Sequence, residues 1–152
     1  MKLKIAAKVD KVDQAYFEQH IEPLLGQPHV EFLGEIGEDQ KAEFLGNAAG
    51  MLFPIAWREP FGLVMIEAMA CGTPVIAYPC GSVPEVIEEG VTGFIVGSEA
   101  EAAAAARRLA SLDRARIRRA FEERFTARRM AEDYLKLYRG LIAQHRPLQE
   151  AV

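Results

Sequence analysis

The sequence predicts an α/β fold in which helices cover both faces of a parallel sheet. Short apolar segments alternate with helical patterns, Gly and Pro residues separate them, and residues 51–56 are apolar throughout. A wholly apolar run of that length is typical of a strand that is covered on both faces. Strands that alternate with helices favour parallel pairing through right-handed crossovers, which gives three layers.

Two strands and two helices are predicted before the apolar run. Residues 3–9 have the pattern of a strand, and Asp13 can cap a helix that continues to about residue 25. Residues 29–34 alternate apolar and polar side chains, as a second strand would. A short helix is predicted over 37–47, because acidic side chains in a first turn complement the helix dipole.

The second half of the chain continues this alternation and then becomes helical. The predicted elements are, in order, a helix 62–71, a strand 74–79, a short helix 84–89 that Ser82-x-x-Glu85 could cap, a strand 93–96, and helices 99–112, 114–124 and 126–143. The last helix is amphipathic, with Met130, Tyr134, Leu137 and Leu141 on one face. We expect one domain over residues 1–143 and a tail, 144–152, that frays from Pro147.

Composition and charge argue against several classes of function. The 152 residues carry a formal charge of −4, whereas nucleic acid as the main partner would need a basic surface. Two cysteines, Cys71 and Cys80, fit a reducing compartment. No apolar run approaches the roughly 20 residues that span a bilayer, and no signal peptide is recognisable, so a cytoplasmic location is expected. The three histidines lack a ligand spacing, so no metal is predicted.

Two carboxylates flank the turn that leads into helix 62–71. Seven residues, including Phe61-Gly62, separate Glu59 from Glu67. A loop that opens into a helix N-terminus offers unpaired N–H groups and a positive dipole end, which suit a phosphate. Carboxylates repel phosphate but accept hydrogen bonds from hydroxyl groups attached to it, such as those of ribose or a hexose. The segment therefore predicts a nucleotide-sugar site.

The alternative is that both are ordinary surface acids, one in a loop and one on a solvated helix. Ala68-Met69-Ala70 follows Glu67 on an otherwise apolar helix, and a buried acid would need polar partners. This context favours a functional pair.

The whole pattern resembles that of retaining glycosyltransferases of family GT4. Besides Glu59-x7-Glu67, the matching motifs are Phe32-Leu33-Gly34, Pro54, Glu67-Ala68-Met69-Ala70, Gly72-Thr73-Pro74-Val75, Pro84-Glu85-Val86 and Gly90-x-x-Gly93-Phe94. They extend over about residues 5–140. The resemblance implies the C-terminal, donor-binding half of a GT-B fold, which is a Rossmann-like domain. It also implies metal-independent transfer of a hexosyl group from a nucleoside-diphosphate sugar.

The resemblance assigns a role to each residue of the central segment. Glu59 would contact the hydroxyls of the donor sugar as the catalytic carboxylate, and Glu67 would bind the ribose diol. The backbone N–H groups of Phe61, Gly62 and Leu63 would approach the sugar and the diphosphate. Glycine suits such an approach because no Cβ blocks it.

Two further places in the sequence correspond to the edges of such a site. In the family, the residues after Phe-Leu-Gly line the nucleobase pocket, so Ile36 could stack on the base while Lys41 reaches it. A surface lysine on a capped helix explains the same residues. Gly81 and Ser82 form another N-terminal nest where the family often has Gly-Gly, and the alternative is that Ser82 is only the helix cap.

The 152 residues contain neither the family's Gly-Arg-x-x-x-x-Lys-Gly segment nor its acceptor-binding domain, and Lys8 and Lys11 do not match that segment. Because transfer needs both substrates held in register, we expect this chain alone to be inactive or nearly so. The absent strand would be the central one of the order 3-2-1-4-5-6. The remaining strands would then close up as 2-1-3-4-5, or expose edges that pair with a second copy. Helix 126–143 could also bind a partner chain.

Two other functions remain open. One is a GT-B relative with different chemistry, such as a nucleotide-sugar epimerase or a phosphorylase. The other is a non-catalytic module that binds a nucleotide sugar or another protein. The Glu59-x7-Glu67 spacing favours glycosyl transfer over an epimerase or a phosphorylase. Titration with UDP-, GDP- and ADP-sugars discriminates the non-catalytic module.

Overall fold

The computed structural model describes residues 1–145, which form two compact units, Met1–Phe44 and the region that begins at Leu45. The predicted class is confirmed: parallel sheets are flanked by helices in a Rossmann-like α/β fold. The strands form a two-stranded sheet and a three-stranded sheet, rather than one sheet of order 2-1-3-4-5. Most of the predicted tail, from residue 146, lies outside the described residues.

The first unit contains a two-stranded parallel sheet, a helical segment between the two strands, and the larger part of the helix that follows. Strand β1 (Leu3–Ala6) pairs with β2 (Val30–Gly34), and Lys4 lies opposite Glu31 in this register. Their side chains form an ion pair of 3.3 Å across the two strands. Opposite charges at facing positions stabilise the pairing of strands.

The helical segment between these strands departs from the regular helix that the sequence predicts. It consists of α1 (Gln14–Tyr16), a π-helical turn (Phe17–Ile21) and α2 (Glu22–Leu25). Pro23 has no N–H to donate, and the wide turn precedes it. The Asp13 side chain makes no capping hydrogen bond, so the predicted cap is wrong.

The first unit has no fully buried side chain. Phe17 and Phe32 are half-buried, and their ring centroids lie 5.4 Å apart. A segment of this length can remove only a limited apolar area from water.

The second unit is built around a three-stranded parallel sheet. Helix α3 (Glu38–Gly46) ends within the second unit. The elements that follow along the chain are β3 (Met51–Phe53), α4 (Leu63–Ala70), β4 (Val75–Ala77), α5 (Val83–Val86) and β5 (Gly93–Ile95). Strand β4 is central and all three of its residues are buried, as its apolar sequence predicts. Helix α4 buries Met65, Ala68 and Met69, which lie on one face of the helix.

The remaining elements are helical. They are α6 (Glu99–Ala106), a 3₁₀ turn (Leu109–Ser111), α7 (Arg114–Arg124) and α8 (Ala127–His145). Ser98 and Asp113 cap α6 and α7 by accepting the N–H groups of Glu101 and Ala115. Phe94 and Ile76 pack with Val96, Ala105 and Leu109 in one buried cluster.

Helix α8 carries its apolar side chains on the surface. Met130, Tyr134, Leu137 and Leu141 are all exposed, and no residue of α8 is buried. Binding of a partner through this helix stays a prediction. Within residues 1–145, no helix is both long enough and apolar enough to cross a bilayer.

Arg114 connects several chain segments of the second unit. Its guanidinium donates to the carbonyl oxygens of Gly46 at 2.7 Å and Ala48 at 2.8 Å, and to the hydroxyl of Thr73 at 2.8 Å. Thr73 is fully buried and donates its own proton to the carbonyl of Leu45 at 2.7 Å. One cation therefore satisfies backbone groups where α3 ends and where α4 leads into β4.

We expect Arg114→Lys to lower the free energy of unfolding by about 1–2 kcal/mol, because an ammonium cannot reach the same acceptors in a fixed fork. Urea denaturation followed by circular dichroism measures the loss. Arg116→Lys, an exposed change on the same helix, is the control and should cost less than about 0.5 kcal/mol. Equal effects of the two substitutions would contradict the role of Arg114.

Candidate functional site

Glu59 lies in the loop between β3 and α4, and its carboxylate is held by two donors of that loop. One oxygen accepts the N–H of Gly62 at 3.1 Å, and the other accepts the indole N–H of Trp57 at 3.1 Å. Its backbone N–H donates to the carbonyl of Trp57 at 3.0 Å. The predicted catalytic carboxylate is therefore a fixed, half-buried group.

Gly62 forms the start of α4, as the Phe-Gly turn predicts. Its φ of +74° is in the left-handed region, and a Cβ there would lie 2.6 Å from the methyl carbon of Met65. The neighbouring Phe61 and Leu63 are exposed. Glu67 is half-buried on the same helix, where it is the fifth residue and lies about one turn after the helix begins.

The loop after β4 packs directly against Glu59. The N–H of Ser82 donates to the carbonyl of Glu59 at 3.0 Å. A Cβ on Gly81 would lie 2.2 Å from that same oxygen and 2.5 Å from the Glu59 nitrogen. Two backbones can come this close only where one of the residues has no side chain. The packing of the two loops therefore requires a glycine at Gly81, whether or not this residue also contacts a ligand.

Ser82 does not cap the short helix α5 with its side chain, so that prediction is wrong. Its hydroxyl instead donates to the carbonyl of Phe61 at 2.8 Å, across 21 positions of sequence. Ser82 is buried, and this bond joins the loop after β4 to the loop before α4. A capping pattern in the sequence indicates only hydrogen bonds to nearby residues, whereas the partner of the Ser82 hydroxyl lies far away along the chain.

Phe61 also contacts the junction between α7 and α8. Its ring meets that of Phe125 edge to face, with centroids 6.2 Å apart. The guanidinium of Arg124 lies 4.6 Å from the Phe125 ring centroid and donates to the Glu85 carbonyl at 2.6 Å. Aromatic and cation–π contacts of this kind each contribute about 1 kcal/mol.

Direct contacts bring together five of the predicted site residues: Glu59, Phe61, Gly62, Gly81 and Ser82. Leu63 and Glu67 follow on α4, in the same unit. Ile36 and Lys41 belong to the first unit. Ile36 is half-buried, and Lys41 forms a 2.6 Å ion pair with Glu38 one turn earlier in α3. Their predicted contact with a base stays a prediction.

Lys8, also in the first unit, is engaged by acids of its own unit. The carboxylate of Asp10, 2.9 Å away, raises the pKa of the Lys8 ammonium through a hydrogen bond and its charge, and Glu35 adds a smaller effect. Among the described residues, no three His, Cys, Asp or Glu side chains are grouped so that they could hold a metal ion. Metal-independent chemistry stays a prediction.

An apolar groove of about 390 Å³ lies elsewhere on the second unit. Its walls include Leu52, Ile76 and Ala102, and none of the predicted site residues. Tyr78 and Glu99 are the polar side chains among its walls. The candidate site, on the surface of two loops and the start of α4, shares no residue with this groove.

Comparison with known families identifies the chain. Residues 2–128 match the family model of glycosyl transferases group 1. The chain belongs to this family. The matched region contains both loops, α4 and the whole Glu59-x7-Glu67 segment, so the resemblance seen in the sequence is confirmed.

The curated relatives that this chain matches are much longer than the chain itself. The chain is 45% identical over 69 residues to the N-acetyl-alpha-D-glucosaminyl L-malate synthase of Bacillus anthracis, and this match covers 45% of the chain and 17% of the relative. The chain is 42% identical over 67 residues to the D-inositol 3-phosphate glycosyltransferase of Streptomyces scabiei, and this match covers 44% of the chain and 15% of the relative.

Solved structures show the same fold over nearly all of the chain. Sucrose-phosphate synthase from Thermosynechococcus elongatus superposes with a TM-score of 0.75 at 31% identity, over 93% of this chain and 38% of that one. Anabaena HepE in complex with UDP-glucose superposes with a TM-score of 0.76 at 21% identity, over 91% of this chain and 41% of HepE. The chain spans less than half the length of each of these proteins.

We expect Gly81→Ala to disrupt the loop contact at Glu59. Gly90 is the matched control: it has a similar positive φ of +72°, but a Cβ there would meet nothing within 4 Å. Gly90→Ala should cost about 1–2 kcal/mol from the left-handed backbone alone, and Gly81→Ala at least about 1 kcal/mol more from the clash. Chemical denaturation of both variants measures the difference. A smaller cost at Gly81 than at Gly90 would contradict this packing.

Proposed function

We propose that this chain is the donor-binding half of a retaining glycosyltransferase that transfers a hexosyl group from a nucleoside-diphosphate sugar to an acceptor hydroxyl. In that reaction the bond between the anomeric carbon and the diphosphate oxygen breaks. The acceptor oxygen forms the new bond to the same carbon and loses its proton. Family membership supports this class of reaction.

One observation carries the proposal: a carboxylate held rigidly at the start of a helix, with a second carboxylate on that helix. Two donors fix Glu59 beside Gly62, and Glu67 follows on α4. Hydroxyl groups of a sugar and of a ribose suit these two acceptors, and charge-assisted hydrogen bonds are strong. The start of α4 and the Gly81–Ser82 loop would meet the diphosphate between them.

The chain's own residues would act by positioning. Glu59 would hold the hydroxyls of the hexose so that the anomeric carbon faces the acceptor, and Glu67 would fix the nucleoside through its ribose. Positioning of this kind contributes a large part of a transfer rate. We propose that no metal is needed, and that basic side chains outside these 152 residues neutralise the leaving diphosphate.

Glu67→Ala should weaken binding of a sugar nucleotide about 10- to 100-fold, since two hydrogen bonds to a charged group are lost. Isothermal titration with UDP-glucose, GDP-mannose and ADP-glucose measures this and selects the base. Glu123→Ala, which removes an exposed carboxylate from α7, should leave the affinity unchanged. If no sugar nucleotide binds the unaltered chain, the donor-site proposal is wrong and the chain is a scaffold or an interaction module.

We expect the chain alone to show neither transfer nor hydrolysis of the donor that it binds, because it holds only one of the two substrates. Release of the nucleoside diphosphate, followed by chromatography over a day, measures turnover. Addition of an acceptor-binding domain with the Gly-Arg-x-x-x-x-Lys-Gly segment should restore activity. Robust turnover by the chain alone would contradict the proposed division of labour.

A further inference from the structure

The hydrogen bond between Trp57 and Glu59 stands apart from the motifs found in the sequence. Trp57 precedes the Glu-Pro-Phe-Gly turn by two residues, and it is the one tryptophan of the chain. Its indole N–H points at the carboxylate of Glu59 at 3.1 Å. The Trp57 side chain is 64% exposed, so burial of its ring does not explain its position.

The arrangement leaves Glu59 able to bind a ligand. A carboxylate can accept about four hydrogen bonds, two at each oxygen. Within the described residues, Gly62 fills one position on one oxygen, and Trp57 fills one on the other. Each oxygen therefore retains capacity for a hydroxyl group, and the two donors hold the plane of the carboxylate without covering it.

The backbone of Glu59 is fixed without help from the side chain of Trp57. Its backbone N–H and carbonyl are bonded to Trp57 and Ser82, and Gly81 packs against its backbone. The side chain still has rotatable bonds, and the N–H of Gly62 constrains only one of its oxygens. A second donor on the other oxygen is what restricts rotation of the carboxylate, because a group held at two points loses little further freedom on binding.

We propose that Trp57 is a positioning residue that orients the Glu59 carboxylate toward the hydroxyls of the donor sugar. This inference rests on the proposed function of the site. It predicts that Trp57 contributes to recognition of the sugar and not of the nucleoside diphosphate. It also predicts that the contribution of Trp57 disappears when Glu59 has no carboxylate.

The first test is a double-mutant cycle on affinity. Trp57→Phe removes the N–H but keeps an aromatic ring, and it should weaken binding of the preferred donor among UDP-glucose, GDP-mannose and ADP-glucose about three- to tenfold. Binding of the matching nucleoside diphosphate should not change. In a Glu59→Ala background, Trp57→Phe should have no further effect on the donor. Circular dichroism confirms that each variant is folded.

The second test needs no ligand. A chain labelled with ¹⁵N gives one indole N–H signal, because it has one tryptophan. We expect the chemical shift of this signal to change in Glu59→Ala, because the indole N–H then loses its acceptor. An indole signal that is identical in the unaltered chain and in Glu59→Ala would overturn the proposed contact.

The outcomes separate this inference from the proposed function. If the unaltered chain binds no sugar nucleotide, the proposed function fails, and the role of Trp57 toward a sugar fails with it. If the chain binds a donor and Trp57→Phe binds it equally well, only the positioning role is overturned. Equal losses for the donor and the nucleoside diphosphate would also overturn it, since they indicate a structural effect on the whole loop.

Discussion

The candidate site depends on the close packing of two loops, one before α4 and one after β4. Gly81 lies against the backbone of Glu59, where no other residue would fit, and Ser82 donates both its N–H and its hydroxyl to the first loop. These contacts fix the backbone of the loop, and the side chain of Glu59 is then oriented by donors within it. A pre-formed acceptor loses less entropy on binding, which is how rigid loops contribute to affinity.

The packing below these loops gives them a rigid base. Helix α4 buries three apolar side chains, and its C-terminal end is tied to α7 and to the end of α3 through Arg114 and Thr73. The loop before α4 therefore leads into a helix with buried residues, and the loop after β4 starts from a fully buried strand. The first unit is different, because none of its side chains is fully buried. The residues predicted to contact the base, Ile36 and Lys41, lie in that less buried part of the chain.

Local patterns in the sequence predicted most of the elements and the central segment of the site. The apolar run at 51–56 became strand β3, although only Met51–Phe53 are paired, and the Phe-Gly turn became the start of α4. Asp113 caps its helix, but Asp13 does not, because a cap depends on backbone geometry that the residue type alone does not determine. Ser82 shows the same limit, since its partner Phe61 is remote in sequence.

The sequence does not predict the contacts that single side chains make with residues far away along the chain. Arg114 is one of several arginines between residues 107 and 129, and nothing local indicates that it bonds to segments more than 40 positions away. Trp57 offered a weak signal, a lone tryptophan beside the motif. The two-sheet arrangement was likewise one of several possible outcomes, because strand pairing depends on neighbours and not on the strands alone.

A donor site at the Glu59–Glu67 segment is tested most directly by following amide signals by nuclear magnetic resonance while UDP-glucose, GDP-mannose and ADP-glucose are added to the chain in turn. We expect one of them to shift the amides of Phe61, Gly62, Leu63, Gly81 and Ser82 more than those of the rest of the second unit. The matching nucleoside diphosphate should leave the Trp57 indole signal unshifted. Shifts centred on other surfaces, or no shift with any of the three, would contradict a donor site at the Glu59–Glu67 segment.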